Sequence, residues 1–229
     1  MSFRHRVHDY TGYALLRECL HSWNRPKAVF IWIPKSAGTS LYNRLDATKL
    51  KSLQLIRFRF CRRGIVTFGH MDYAQLVVKG YIPGKFDDTA YKFAFVRNPY
   101  ARAVSLHSYF KRNGKLPKDE SFLSFCRRLH DRGCEPIGLY NTQGFSQANP
   151  QMRWIEQVEL DDLGRVENID QDAARIFARL GLEYAPIPKL NTSSHPDYRS
   201  CYCPESRELV EAFYAEDFTY LGYPHEELA

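Results

Sequence analysis

The apolar positions of this chain gather into short blocks, separated by polar stretches in which apolar residues recur at helical spacing. Ala28-Val29-Phe30-Ile31-Trp32-Ile33 is a continuous apolar run closed by Pro34, long enough for a buried strand and too short for a helix. A glycine-containing turn follows, and a helix is predicted from about Thr39. Tyr91-Lys92-Phe93-Ala94-Phe95-Val96 repeats the pattern. Asn98-Pro99, an N-cap residue followed by proline at the first helical position, then opens a helix predicted to reach about Phe110. Between these units, Val66-Thr67-Phe68 predicts a short strand leading to Gly69-His70. Asp72 then caps a helix through Val78 that stops before Gly80. Further helices are predicted at Glu120 to His130, at Asp170 to Leu180 ahead of Gly181, and at Pro204 to Ala215. Apolar strands alternating with helices predict an α/β fold with a mainly parallel, helix-covered sheet. In such sheets ligands sit beyond the carboxyl ends of the strands, where both strand-to-helix loops fall.

At 229 residues and 44% hydrophobic, the chain fits one domain with one core. No repeat or low-complexity linker divides it, so residues 1–229 read as a single domain with about the first 26 as an N-terminal extension. The longest apolar run cannot cross a bilayer and the N-terminus lacks a signal-peptide core, which predicts a soluble, cytoplasmic protein. Six scattered cysteines predict reduced thiols rather than a disulfide scaffold. Cys201-x-Cys203 has no second pair at zinc-ligand spacing, so no metal site is expected. The net charge of +6 favours anionic partners without distinguishing nucleotide, nucleic acid, acidic glycan or membrane surface.

The candidate chemistry narrows that choice. Pro34-Lys35-Ser36-Ala37-Gly38-Thr39-Ser40 joins a buried strand to a helix start, so its backbone N–H groups and the positive helix end can surround an anion. Gly38 permits close backbone approach, Lys35 adds a point charge, and Ser36, Thr39 and Ser40 add hydroxyl donors. The second loop delivers Arg97 at a strand end, a bidentate fork for phosphate, with Ser105 on the following helix; Arg102 reads equally as a ligand or as a surface cation. Two anion-binding loops at equivalent strand ends match a nucleotide phosphorylated on both sides of its ribose. A P-loop kinase would instead require G-x-x-x-x-G-K-[ST] and an apolar strand ending in an acidic magnesium ligand. Here the lysine precedes the glycine and the second strand ends in Arg97, so transfer without a metal is expected. A nucleic-acid-binding module is the other alternative, and no recognised motif of that kind accompanies the charge.

At these residues the sequence resembles the PAPS-dependent sulfotransferases (PAPS is 3′-phosphoadenosine-5′-phosphosulfate), in particular the carbohydrate group that includes the heparan uronyl 2-O enzymes and bacterial relatives. Pro34 to Ser40 is similar to that family's 5′-phosphosulfate loop, and Phe95-Val96-Arg97-Asn98-Pro99-Tyr100-Ala101-Arg102-Ala103-Val104-Ser105 to its 3′-phosphate motif. The likeness continues through Asn149 to Trp154, Gly164 to Asn168 and Asn191 to His195. The resemblance implies a P-loop-like three-layer fold, PAPS as donor, PAP as product and a sugar hydroxyl as the usual acceptor. It also implies that Lys35, Ser36, Ala37, Gly38, Thr39 and Ser40 hold the phosphosulfate, that Arg97 and Ser105 hold the 3′-phosphate, and that Lys189 to Ser194 closes over the nucleotide. Animal members usually carry an N-terminal membrane anchor, which this sequence lacks; the Golgi lumen is the alternative location if one has been removed.

In-line attack on sulfur needs a base on one side and positive charge on the other. His70 is the candidate base, matching a histidine of the 2-O enzymes, although Phe68 stands where those enzymes have a second one. Asp72 and His107 are the reserve candidates. Lys35 is the candidate for neutralising charge on the leaving group. Arg57, Arg59, Arg62 and Arg63, with Arg127, Arg128 and Arg132, read either as a grip on an acidic polysaccharide or as a solvated cationic surface. Trp154 reads as core or as a stacking platform for a sugar ring.

Overall fold

The computed structural model describes residues 26–45, 47–48, 59–61, 64–132, 139–140, 145–186 and 197–227. The described strands are β1 (Ala28–Ile31), β2 (Ala47–Thr48), β3 (Arg59–Cys61), β4 (Ile65–Thr67), β5 (Tyr91–Val96), β6 (Leu139–Tyr140), β7 (Phe145–Ser146) and β8 (Asp162–Arg165). The described helices are α1 (Gly38–Arg44), α2 (Tyr73–Val78), α3 (Gly84–Asp87), α4 (Pro99–Arg112), α5 (Phe122–Arg132), α6 (Ile169–Arg179), α7 (Pro204–Phe213) and α8 (Ala215–Leu221). The main sheet has the order β2-β3-β4-β1-β5-β8. Its four strands β4, β1, β5 and β8 run parallel, while β3 is antiparallel to both β2 and β4.

The continuous apolar run of β1 follows from its position. It pairs with β4 on one edge and β5 on the other, and both faces are covered, so all four of its residues are buried. Ala28 and Phe30 point to one side, where Leu41 and Leu45 of the α1 end and Ala173, Ile176 and Phe177 of α6 pack on them. Val29 and Ile31 point to the other, into the larger cluster formed with α2, α3, α4, α5, α7 and α8. The result is the expected three-layer α/β architecture with a mainly parallel central sheet.

Local signals set most element boundaries. Asn98 caps α4, its side-chain oxygen accepting from the N–H groups of Tyr100 at 2.9 Å and Ala101 at 3.3 Å, with Pro99 at the first helical position. Asp72 caps α2 in the same way through the Gln75 N–H at 3.2 Å. Three elements differ from expectation, and two of the differences have a visible physical cause. The strand predicted through Ile33 leaves the ladder after Ile31. Strand β8 contains a single large apolar side chain, Leu163, and forms because Gly164 lies flat on the Phe95 ring; a Cβ there would come within 2.4 Å of a ring carbon. The predicted helix Pro204 to Ala215 is broken at Tyr214, and the chain continues as α8. The Tyr214 ring is fully buried and its hydroxyl donates to the Ala148 carbonyl at 2.9 Å, so the break is fixed by the core. That turn carries Asp217 inward, where it is completely buried. Cys126, Cys201 and Cys203 are free thiols.

Candidate active site

The carboxyl ends of β4, β1 and β5 release three chain segments side by side: Phe68-Gly69-His70, Trp32 to Ser40, and Arg97-Asn98. The middle segment makes a sharp turn in which Lys35 and Ala37 take the left-handed conformation, with φ of 66° and 56°. Such a conformation costs a residue with a Cβ on the order of 1 kcal/mol, so the surroundings must impose it. Among the described residues, no acceptor meets the backbone N–H of Lys35, Ala37, Gly38 or Thr39, whereas Ser40 and Leu41 already donate to the Ala37 carbonyl. Alternating left- and right-handed residues that leave converging N–H groups form a concavity suited to an anion.

The glycine of this turn also does a job that was not expected. A Cβ on Gly38 would lie 1.7 Å from the Trp32 indole nitrogen, so Gly38 makes room for that ring beneath the loop. The indole stacks in turn on Tyr42 of α1, with ring centroids 5.3 Å apart. Ser36 is buried and its hydroxyl donates inward to the Gln151 side-chain oxygen at 3.0 Å, supporting the turn from behind. Thr39 is exposed and Ser40 is buried.

Arg102 is neither a surface cation nor an open ligand. It is completely buried, its Nε donating to the Pro34 carbonyl at 3.0 Å and one Nη to the Gln147 carbonyl at 3.0 Å, which ties helix α4 to the base of the first loop. Its remaining Nη has no hydrogen-bond partner among the described residues, and its guanidinium lies over the rings of Trp154 and Tyr214. Trp154 is therefore core rather than a sugar platform. Residues 102, 105 and 109 recur at helical spacing along α4, so Ser105, partly buried, shares a face with Arg102 and Tyr109.

Arg97 leaves β5 with both backbone groups held by one side chain, Gln151, which accepts from its N–H and donates to its carbonyl, each at 2.8 Å. The same Gln151 oxygen receives Ser36, so the two loops are bridged by a single amide. Asn98 is secured separately, its N–H donating to Glu167 at 2.7 Å and its side-chain amide to Glu226 at 2.8 Å. Sequence reasoning missed Gln151, Asp217 and Glu167 as site-builders, because isolated polar residues in short 3-10 turns and in a short helix have no periodicity or spacing to mark them.

The electrostatics are one-sided. Lys35 has its ammonium 4.5 Å from the centre of the Tyr109 ring, and burial first, then the charges of Arg112, Arg97 and Arg102, lower its pKa to about 8. Burial likewise pushes Arg97 down; nearby Glu167 opposes that shift and Arg102 adds to it. The first loop thus faces clustered positive charge that destabilises its own cations until an anion arrives.

On the other flank, His70 Nδ1 lies 2.8 Å from the Trp32 carbonyl. A carbonyl only accepts, so Nδ1 carries the proton of the neutral ring and Nε2 carries the lone pair. The reserve candidates are otherwise engaged. Asp72 is buried as the α2 cap, burial raising its pKa. The His107 ring packs on Phe122 and Phe125, with Nε2 3.0 Å from the Glu120 carbonyl. Arg127 pairs with Glu205 at 2.6 Å and Arg128 with Glu120 at 2.7 Å, so neither is an uncommitted cation for a polysaccharide. Arg57, Arg62, Arg63 and Lys189 to Ser194 lie outside the described residues, as do the side chains of Arg59 and Arg132.

An α/β sheet with clustered cations and a turn of open N–H groups at its strand ends has the chemistry of an anion site. Comparison with known proteins makes that class specific. Residues 24–224 match the model of the sulfotransferase family, and the chain belongs to that family. It is 27% identical over 124 residues to an uncharacterized protein of Archaeoglobus fulgidus, a match covering 54% of this chain and 94% of that one. A sulfotransferase crystal structure from Alicyclobacillus acidocaldarius aligns with a TM-score of 0.46 at 18% identity, over 86% of this chain and 94% of that one. No helix among the described residues is long and apolar enough to cross a membrane.

Proposed function

We propose that this sulfotransferase takes the sulfonate of PAPS and transfers it to a carbohydrate hydroxyl. The observation that carries the reading is the pairing of a turn whose N–H groups meet no acceptor among the described residues with the clustered cations Lys35, Arg97 and Arg102 at the ends of two adjacent parallel strands. A nucleotide bearing phosphate groups on two sides relieves that repulsion at both loops at once. The turn and Lys35 receive the 5′-phosphosulfate, and Arg97 with Ser105 receives the 3′-phosphate. The carbohydrate acceptor follows from the sequence resemblance described above.

In this reading His70, which follows β4, and Arg97, which follows β5, flank the turn that follows the intervening strand β1. Nε2 of His70 takes the proton from the acceptor hydroxyl as its oxygen attacks sulfur. The S–O bond to the 5′-phosphate breaks on the opposite side, and Lys35 neutralises the charge that appears on the departing phosphate oxygen. The carbonyl of Trp32 keeps the imidazole in the tautomer this step needs.

The test is calorimetric titration with PAP, ATP and an oligonucleotide, with and without magnesium, followed by transfer from labelled PAPS to panels of glycans, phenols and lipids. PAP is expected to bind tightly in EDTA and label to appear on a glycan. Tighter binding of Mg-ATP would overturn the donor assignment, and label on phenols or lipids alone the acceptor. Lys35→Ala should lower kcat by about 10²–10³-fold, and His70→Ala by about 10²-fold or more. Near-normal turnover by His70→Ala would remove it as the base.

A further inference from the structure

We propose that Gln151 is a positioning residue whose side-chain amide sets the spacing between the two anion-binding loops, so that they engage one nucleotide together. The inference rests on the donor reading above and deepens it. Gln151 is completely buried at the start of a short 3-10 turn, Gln151–Trp154. A glutamine side chain can accept two hydrogen bonds and donate two, and here all four are made. The oxygen accepts from Ser36 Oγ at 3.0 Å and from Arg97 N–H at 2.8 Å; the nitrogen donates to the Arg97 carbonyl at 2.8 Å and to Asp217 at 3.2 Å. The Arg97 pair alone fixes which end of the amide is oxygen.

The amide is itself anchored. Asp217 of α8, completely buried, also accepts from the backbone N–H groups of Gln151 at 2.9 Å and Met152 at 3.0 Å. A rigid node therefore stands between residue 36 on the first loop and residue 97 on the second; the Ser36 hydroxyl, expected to face the phosphosulfate, is turned inward to Gln151, and at residue 97 the amide holds the backbone and not the guanidinium. Rigid spacing matters only to a ligand that spans both loops. Binding at the second phosphate is then intramolecular, and its gain depends on the two sites keeping their separation.

The experiment compares PAP with its two halves, 5′-AMP and 3′-AMP, on wild type and on Gln151→Met, with circular dichroism and melting to check the fold. Wild type should bind PAP far more tightly than either monophosphate. In Gln151→Met the PAP affinity should fall by about tenfold or more while each monophosphate changes by less than about twofold. A Gln151→Met variant that keeps the full PAP advantage, or loses all three ligands by one common factor, would overturn the inference. Ser36→Ala, which removes only the first-loop arm of the bridge without adding charge, gives the same readout if the methionine variant does not fold. A wild type that binds PAP no better than the monophosphates sinks the donor assignment first, and is distinguished by that control.

Discussion

The loop after β1 and the loop after β5 occupy equivalent places at neighbouring strand ends, yet they are built in opposite ways. The second is locally encoded at its helix start, where Asn98 caps α4 and Pro99 presets the first turn, while Gln151, Glu167 and Glu226 secure Arg97 and Asn98 from a distance. The first is imposed. Its two left-handed residues both carry a Cβ, its glycine yields space to Trp32, and its position depends on Arg102 from α4 and Gln151 from a segment more than a hundred residues away. A turn that must present four free N–H groups to an anion cannot satisfy itself internally, so other elements have to hold it open. A helix N-terminus already presents its donors and needs only a cap.

That contrast can be broken at its widest point by removing the buried guanidinium. Arg102→Met leaves the Pro34 and Gln147 carbonyls unpaired in the core, and should lower stability by about 2–4 kcal/mol, read in denaturant melts. Nucleotide affinity measured on the folded fraction should fall with it, because the first loop loses its tether. Gly38→Ala comes next. The new methyl meets the indole, and because Trp32 is only partly buried the ring can be displaced at a cost of about 1–3 kcal/mol, seen as a changed tryptophan emission together with a lower Tm. Asn98→Ala should cost only about 1 kcal/mol, leaving the emission of Trp32 unchanged. If Asn98→Ala proves as damaging as Arg102→Met, the second loop is not locally encoded and the contrast fails.

The smallest effect is one of pH. Lys35 has its pKa lowered to about 8 from an ordinary 10.5, so between those values the unfolded chain binds more protons than the folded one. The contribution of this residue to folding stability therefore rises as pH increases through that window, while donor affinity falls, since the neutral amine no longer attracts a phosphate group. Opposite slopes for Tm and for PAP binding above about pH 8, flattened together in Lys35→Met, would sharpen the assignment of the group. Parallel slopes would contradict it.

The legible parts of the molecule are those where one segment carries its own instructions. Strand β5 has the predicted limits, Asp72 and Asn98 are caps, and α6 stops at Gly181, whose φ is +66°. Strand β8 escaped notice because Asp162, Gly164 and Arg165 carry no strand pattern; only the flat Phe95 ring makes its glycine intelligible. At the site, Lys35, Arg97 and His70 stand out in the sequence because each follows an apolar block. Arg102 was visible as a residue but not as a clamp, since burial of a cation is decided by what packs over it, here Trp154 and Tyr214.

By itself the sequence determined the alternation of strands and helices, the parallel sheet and the two strand-end loops, because apolar periodicity, caps and breakers act over a few residues. Tertiary structure alone decided that Gln151 joins those loops, that Asp217 is drawn in by the break at Tyr214, and that Trp32 both underlies Gly38 and sets the His70 tautomer. The reason is physical: a buried polar group takes its role from whichever partners the fold brings within about 3 Å, and nothing in the local chain specifies them.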